Sequence, residues 1–104
     1  MNYIDLGYFN GHLLHLIGCT YVNNSTALIL LNKNIEYTEV TKYDESIKLS
    51  SQGYLILNPN MSMELKKFLM KKNIFRVVKI ISNMQIAMIN RNVYDKLFML
   101  NGEC

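Results

Sequence analysis

Two histidines and a cysteine near the N-terminus are the residues of this chain whose types could support catalysis. His12, His15 and Cys19 lie close together in the sequence, and an imidazole beside a thiol can generate a thiolate nucleophile. On a strand, His15 and Cys19 would share a face but lie about 13 Å apart, at a rise of roughly 3.3 Å per residue. On a helix they would be neighbours one turn apart. We favour the strand, so the sequence predicts neither a catalytic dyad nor an enzyme.

The remaining sequence also lacks the spacings that mark metal and nucleotide sites. No further ligand stands at a recognisable distance from the two histidines, so we expect no zinc site. Glycine-rich phosphate-binding loops and a G-x-S-x-G element are missing as well. Asp44 and Glu45 are adjacent, and neighbouring residues on a strand point to opposite faces. This pair is typical of a solvated loop, and the sequence predicts no metal and no cofactor.

The cysteines and the apolar segments bear on the cellular location. Cys19 and Cys104 are too few for a disulfide framework, so a reducing compartment is the simpler interpretation. The N-terminus lacks the basic leader of a secretory signal. The longest apolar run, residues 27–31, is far shorter than the roughly 18 residues that span a bilayer. We therefore predict a cytoplasmic protein without a membrane partner.

Charge is distributed unevenly along the chain, although the formal net charge is only +3. No Lys or Arg precedes Lys33, and residues 33–48 mix both signs. A basic block follows, opposed only by Asp95 within its own span. It consists of Lys66, Lys67, Lys71, Lys72, Arg76, Lys79, Arg91 and Lys96. Such segregation bears on binding partners rather than on the fold.

One amphipathic helix is predicted over about residues 61–72. Asn60 or Ser62 can cap its N-terminus, and Lys71 and Lys72 complement the helix dipole at its end. Asn73 suits the left-handed residue that often follows a helix. Its apolar side chains have the i, i+4, i+7, i+8 spacing of one buried stripe. That stripe consists of Met61, Leu65, Phe68 and Leu69.

The outward side of this helix combines thioethers with ammonium groups. At 100° per residue, two methionines and two lysines share an arc away from the buried stripe. They are Met63, Lys66, Lys67 and Met70. Unbranched apolar side chains among lysines form the adaptable kind of surface that flexible binding proteins use. We interpret this face as the partner-binding surface; the alternative is that a second layer, such as the C-terminal segment, covers both methionines.

The rest of the chain is predicted to form short strands separated by turn signals, among them Asn32-Lys33-Asn34 and Ser82-Asn83-Met84. Strand candidates are residues 26–31, 36–41, 53–57, 74–81 and 85–89, from their apolar runs or alternating patterns. Residues 11–18 and 93–100 fit either a strand or a helix. The sequence therefore predicts one α+β domain over residues 1–104, in which a small, mostly antiparallel sheet of about five or six strands packs against one main helix.

The segment that begins at Asn60 carries a resemblance. The pattern N-x-x-x-E-L-x-x-F-L is followed by Asn73-Ile74-Phe75 and then by Ile81-Ser82. This order of an amphipathic helix and a hairpin resembles uncharacterised small domain families carried on plasmids, phages and integrated elements. The resemblance covers about a third of the chain. It implies a mobile-element setting, in which small non-enzymatic proteins often block host defence complexes such as CRISPR nucleases.

Two functions compete for the basic second half of the chain. We favour a small non-enzymatic binding protein whose partner is another protein, bound through the helix face defined above. The alternative is a nucleic-acid-binding protein that neutralises phosphates with its cations. Its residues would be Lys66, Lys67, Lys71, Arg76 and Lys79. Homodimerisation through an unpaired sheet edge is open in either case.

Overall fold

Strands come first along the chain, and both helices lie in its second half. The computed structural model describes residues 2–22, 24–49 and 53–98. The strands are β1 (Ile4–Phe9), β2 (His12–Thr20), β3 (Thr26–Asn32), β4 (Ile35–Glu39), β5 (Tyr54–Ile56), β6 (Phe75–Ile81) and β7 (Met84–Ile89). The helices are α1 (Met63–Lys71) and α2 (Arg91–Phe98). The predicted α+β class is confirmed.

Three hairpins are closed by two-residue turns in which both residues have positive φ. This backbone matches the type I′ turn, whose twist fits that of the flanking strands, and Asn and Gly tolerate it best. The turns are Asn10-Gly11, Lys33-Asn34 and Ser82-Asn83. The predicted tight connections near residues 32–34 and 82–84 are therefore confirmed. Residues 11–18, which fitted either element, belong largely to β2.

The strands form two antiparallel sheets, which corrects the prediction of a single sheet with five or six strands. The first has the order β1-β2-β3-β4 and the second the order β5-β7-β6. Residues 40–42 connect them: the Val40 N–H donates to the Leu28 carbonyl, and the Lys42 N–H donates to the Ile56 carbonyl. Thr41 and Leu57 also form an isolated antiparallel β-bridge between this segment and the residue that follows β5. The chain therefore leaves the first sheet after β4 and starts another one.

A shared core explains why two sheets form. Both contribute side chains to one apolar cluster, so each covers a face that the other needs to bury. The first sheet supplies Leu14, Leu16, Leu28 and Leu30, and the second supplies Leu55, Phe75, Ala87 and Ile89. A single helix could cover only part of one larger sheet. Strand order is a long-range property, which the pattern within each strand does not contain.

The helix predicted over residues 61–72 is confirmed as α1, and its two buried residues, Leu65 and Leu69, join the shared core. It begins at Met63 after the Ser62 cap, so Met61 of the predicted stripe precedes the helix. The expectation of one main helix is incomplete, because residues 91–98 form α2. Leu97 of α2 is buried in the same core. An added Cβ on Gly18 of β2 would lie 2.5 Å from Cζ of Phe98. Glycine at this position therefore lets α2 approach the sheet.

Within the described ranges, neither helix has the length and apolar composition needed to cross a membrane. The cytoplasmic location stays a prediction.

Candidate protein-docking surface

Helix α1 is fixed at both ends by residues of the expected types. The Ser62 side chain accepts a 3.1 Å hydrogen bond from the Leu65 N–H, which satisfies one of the free donors of the first turn. Asn73 follows the helix with φ of 60°, as predicted for its end. The ring of Phe68 lies 5.1 Å from that of Phe9 at the end of β1. These contacts set the rotation of α1 about its axis, so its outward face is well defined.

The two methionines on that outward face are exposed. Met63 keeps 55% of its surface accessible and Met70 keeps 38%. The expectation that both face outward is confirmed, and no described element covers them. Part of the C-terminal segment, proposed as an alternative cover, is residues 99–104, which lie outside the described residues. We call Met63, Lys66, Lys67 and Met70 the α1 surface.

Lys66 is held in place, unlike the other lysines of α1. Its side chain is half-buried, and Nζ donates a 2.9 Å hydrogen bond to Oε1 of Gln85 on β7. Lys67 and Lys71 are exposed. The bond connects α1 to the second sheet, so one charge of the α1 surface has a fixed position. Local sequence patterns carry no signal for this contact, because its two residues lie 19 positions apart.

A cleft of about 280 Å³ lies beside Met63, between the start of α1 and the β6–β7 hairpin. Its wall mixes apolar residues, among them Met61, Met63 and Met84, with the polar residues Asn58 and Asn83. Lys66 and Gln85 also belong to its wall. This volume is close to the lower end of the ~300–1,000 Å³ that is usual for small-molecule sites, and it is also large enough for one side chain of a partner protein.

An edge strand extends the apolar part of the α1 surface. β6 is the outer strand of the second sheet, and Ile80 on it is 67% exposed. Ile80 pairs with Gln85, and directly paired residues share one face of a sheet. Ile80 therefore lies on the side to which Lys66 is bonded. Ile80 lies within the predicted strand 74–81, but nothing in its local pattern marks it as part of the site.

The five cations of the nucleic-acid alternative are divided between two faces. Lys66, Lys67 and Lys71 belong to α1, which packs on the side of β7 that carries Ala87 and Ile89. Arg76 pairs with Met88, and Lys79 pairs with Ile86. Met88 and Ile86 alternate with Ala87 and Ile89, so they point to the opposite face. Ile86 belongs to a separate apolar cluster there.

Local contacts also occupy the two cations on that opposite face. Nη2 of Arg76 lies 3.8 Å from the Met88 sulfur. Nζ of Lys79 lies 5.4 Å from the centre of the Tyr54 ring, a cation–π distance. The five residues therefore do not form one continuous basic face.

The imidazole rings of both histidines contact side chains that do not supply a nucleophile. His15 Nε2 lies 3.9 Å from Oδ1 of Asp5, and its ring lies 4.7 Å from that of Tyr3. The side-chain nitrogen of Asn32 lies 2.9 Å from Nδ1 of His12. Both histidines belong to β2, as the strand interpretation required. Among the described residues, no group of three or more His, Cys, Asp or Glu is placed to hold a metal ion.

Cys19 is buried in a small cluster with Ile17 and Ala27 and is 7% exposed. Its sulfur is disulfide-bonded, which differs from the reduced state expected of it. Cys104 lies outside the described residues. A sulfur that is bonded in a disulfide carries no thiolate, so Cys19 is not placed here as the nucleophile of a cysteine–histidine dyad.

A partly buried phenol lies near the junction of the two sheets. The Tyr21 hydroxyl lies 2.9 Å from Oγ1 of Thr41, and the Leu28 N–H donates to that same Oγ1 at 3.1 Å. Burial raises the pKa of Tyr21, and Glu39 acts in the same direction, against the hydrogen bond to Thr41. The phenol therefore stays neutral, as a structural group would.

Comparison with known proteins adds no relative to this description. No protein-family model, no curated protein and no solved structure matches the chain.

Proposed function

We propose that this chain is a non-enzymatic binding protein that acts by occupying a surface of a partner protein with the α1 surface. The observation that carries the proposal is the exposure of Met63 and Met70 on a helix whose other side is anchored in the core. Exposed apolar groups that share one face often mark interaction sites. Thioethers adapt to a partner because they are flexible and polarisable.

Neighbouring groups support the same side of the molecule. Ile80 adds an exposed aliphatic side chain on the β6 edge, beside the residue that holds Lys66. Lys67 and Lys71 surround the apolar groups with positive charge. An apolar centre with a charged rim is the usual anatomy of a protein interface. The rim would contribute to the rate and selectivity of association more than to its strength.

Site-specific photo-crosslinking tests the proposal. A benzophenone amino acid placed at position 67 should link the chain to a partner protein in a lysate treated with nuclease. The matched control carries the same group at position 96, because Lys96 is likewise an exposed helical lysine but lies on α2. Equal labelling from both positions, or none from position 67 when other positions crosslink, would contradict a specific α1 interface.

A host defence complex, such as a CRISPR nuclease, is the partner class that we propose to test first. Support for this class comes from the mobile-element resemblance of the segment that begins at Asn60. Co-expression of the chain with such a nuclease and its guide should reduce cleavage of a target plasmid. Full cleavage across representative nucleases would reject this partner class and leave the interface proposal to the crosslinking result.

A further inference from the structure

Lys66 presents a positive charge that no described carboxylate neutralises. The ion pairs recorded among the described residues are His15–Asp5 and Arg91–Asp95. The partner of Lys66 is the neutral amide of Gln85. Half-burial weakens solvation of the ammonium group, and its position at the cleft is fixed by that hydrogen bond. A carboxylate would therefore gain more here than beside a freely moving surface lysine.

The cleft next to this charge accepts an apolar side chain. Its wall combines Met61, Met63 and Met84 with Leu57 and Pro59. Met61 also packs against the shared core, so the floor of the cleft is supported while Met63 stays exposed at its rim. At about 280 Å³ the cleft has room for one aliphatic side chain of a partner.

From these two features we infer that the α1 surface binds a partner segment in which an aliphatic anchor is directly followed or preceded by an acidic residue. The anchor enters the methionine-lined cleft, and the adjacent carboxylate accepts a hydrogen bond from Lys66. Lys67 and Lys71 favour further acidic residues in the same segment. This inference rests on the proposed function and specifies the chemistry of the partner.

A protein segment fits these features better than a nucleic acid does. Arg76 and Lys79 lie on the opposite face of the second sheet, so few cations remain to follow a phosphate backbone. None of the nine residues that line the cleft is aromatic, so it lacks the platforms on which exposed bases stack. An aliphatic side chain would pack against the apolar residues of the cleft wall, and the adjacent carboxylate would pair with Lys66.

Methionine-methyl NMR provides the test. The probe is the blocked peptide acetyl-Gly-Ser-Glu-Leu-Glu-Ser-Gly-amide, titrated into protein labelled with ¹³C at the methionine methyl groups. The signals of Met61 and Met63 should shift, whereas Met88 on the opposite face should not. We expect the dissociation constant to rise about tenfold when glutamines replace both glutamates of the peptide, the loss of one charge-assisted hydrogen bond. A peptide with serine in place of leucine should not shift the cleft signals.

Paired variants of the protein complete the design. Lys66→Leu should weaken peptide binding about tenfold, whereas Lys96→Leu, which removes an exposed helical lysine of α2, should leave it within twofold of wild type. Thermal unfolding of each variant shows that it folds. Equal binding of the acidic and glutamine peptides, or of wild type and Lys66→Leu, would overturn the inference.

Two further probes test whether a ligand of a different chemical class occupies the cleft. Hexanoate that binds as tightly as the peptide, or a single-stranded oligonucleotide that shifts the cleft signals when the peptide does not, would also overturn the inference. Crosslinking from position 67 is independent of the peptide. If position 67 crosslinks specifically but the peptide does not bind, only the inferred aliphatic and acidic segment is rejected. If position 67 gives no specific crosslink, the proposed function is rejected.

Discussion

The ammonium group of Lys66 on α1 donates a 2.9 Å hydrogen bond to the side-chain oxygen of Gln85 on β7. Gln85 in turn pairs with Ile80 on the edge strand β6. The bond therefore joins the helix and the edge strand into one continuous surface. A surface held this way loses little conformational freedom when a partner binds, which favours affinity.

The contribution of that bond to stability can be measured with a double-mutant cycle. Lys66→Leu and Gln85→Leu should each lower the free energy of unfolding by about 1 kcal/mol, since the bond involves a charge but is partly exposed. Both changes together should cost less than the sum, because either one alone already removes the bond. Urea unfolding of the four proteins gives the coupling. A coupling of zero would show that the two side chains do not interact in solution.

Adding a single methyl group at Gly18 should displace α2 from β2. Gly18→Ala places its Cβ 2.5 Å from Cζ of Phe98 and 3.3 Å from Cδ1 of Leu97. We expect a loss of about 1–3 kcal/mol, the usual range for overpacking. Phe98→Leu in the same chain should recover part of that loss by opening space. If Gly18→Ala is neutral in thermal unfolding, α2 does not pack on β2 in the way described.

Stability at alkaline pH should depend on Tyr21. Its pKa is raised in the folded chain, chiefly by burial, so the folded state holds the phenolic proton more tightly than the unfolded state does. The resulting stabilisation is complete below the ordinary tyrosine pKa of about 10 and is lost as the pH rises through the folded pKa. Unfolding of wild type and Tyr21→Phe should be compared between pH 8 and pH 11.5. The wild type should lose more stability over that range, and parallel profiles would contradict a buried, raised phenol.

The split of the basic residues predicts different effects for two charge reversals. Lys67→Glu/Lys71→Glu should weaken partner binding, because these lysines surround the exposed methionines. Arg76→Glu/Lys79→Glu makes the same change in charge on the opposite face and should leave binding within twofold of wild type. Affinity measured by biolayer interferometry at several salt concentrations separates the alternatives. Equal weakening by both pairs, with a steep log-linear salt dependence, would indicate nucleic acid instead.

Local patterns were sufficient to predict α1 and the tight turns. The buried stripe of Leu65 and Leu69 fixes which side of the helix faces inward, and the Ser62 cap and Asn73 mark its ends. Positive φ at Asn34 and Asn83 agrees with the turn signals at those positions. Each of these features depends on residues within one or two helical turns, so sequence spacing contains the necessary information.

The features that the sequence did not predict depend on packing between distant parts of the chain. The division into two sheets follows from side chains of distant strands meeting in one core, and α2 forms where Leu97 and Phe98 reach Gly18. The Val93-Tyr94 and Leu97-Phe98 spacing fits a helix, yet a short apolar segment also fits a strand. Exposure of Ile80 depends on β6 being an edge strand, and pairing order cannot be read from the strand itself.

Replacement of the two exposed methionines tests the central claim most directly. Met63→Asp/Met70→Asp should leave the circular dichroism spectrum native and weaken binding of the partner captured through position 67 by at least tenfold, because charge replaces the apolar contact. The control is Tyr8→Asp/Val22→Asp, which puts the same charge at two apolar residues that are 72% and 93% exposed and lie outside α1. We predict native affinity for the control and loss of binding for the methionine variant. A folded methionine variant that binds as tightly as wild type would contradict the assignment of the α1 surface as the interface.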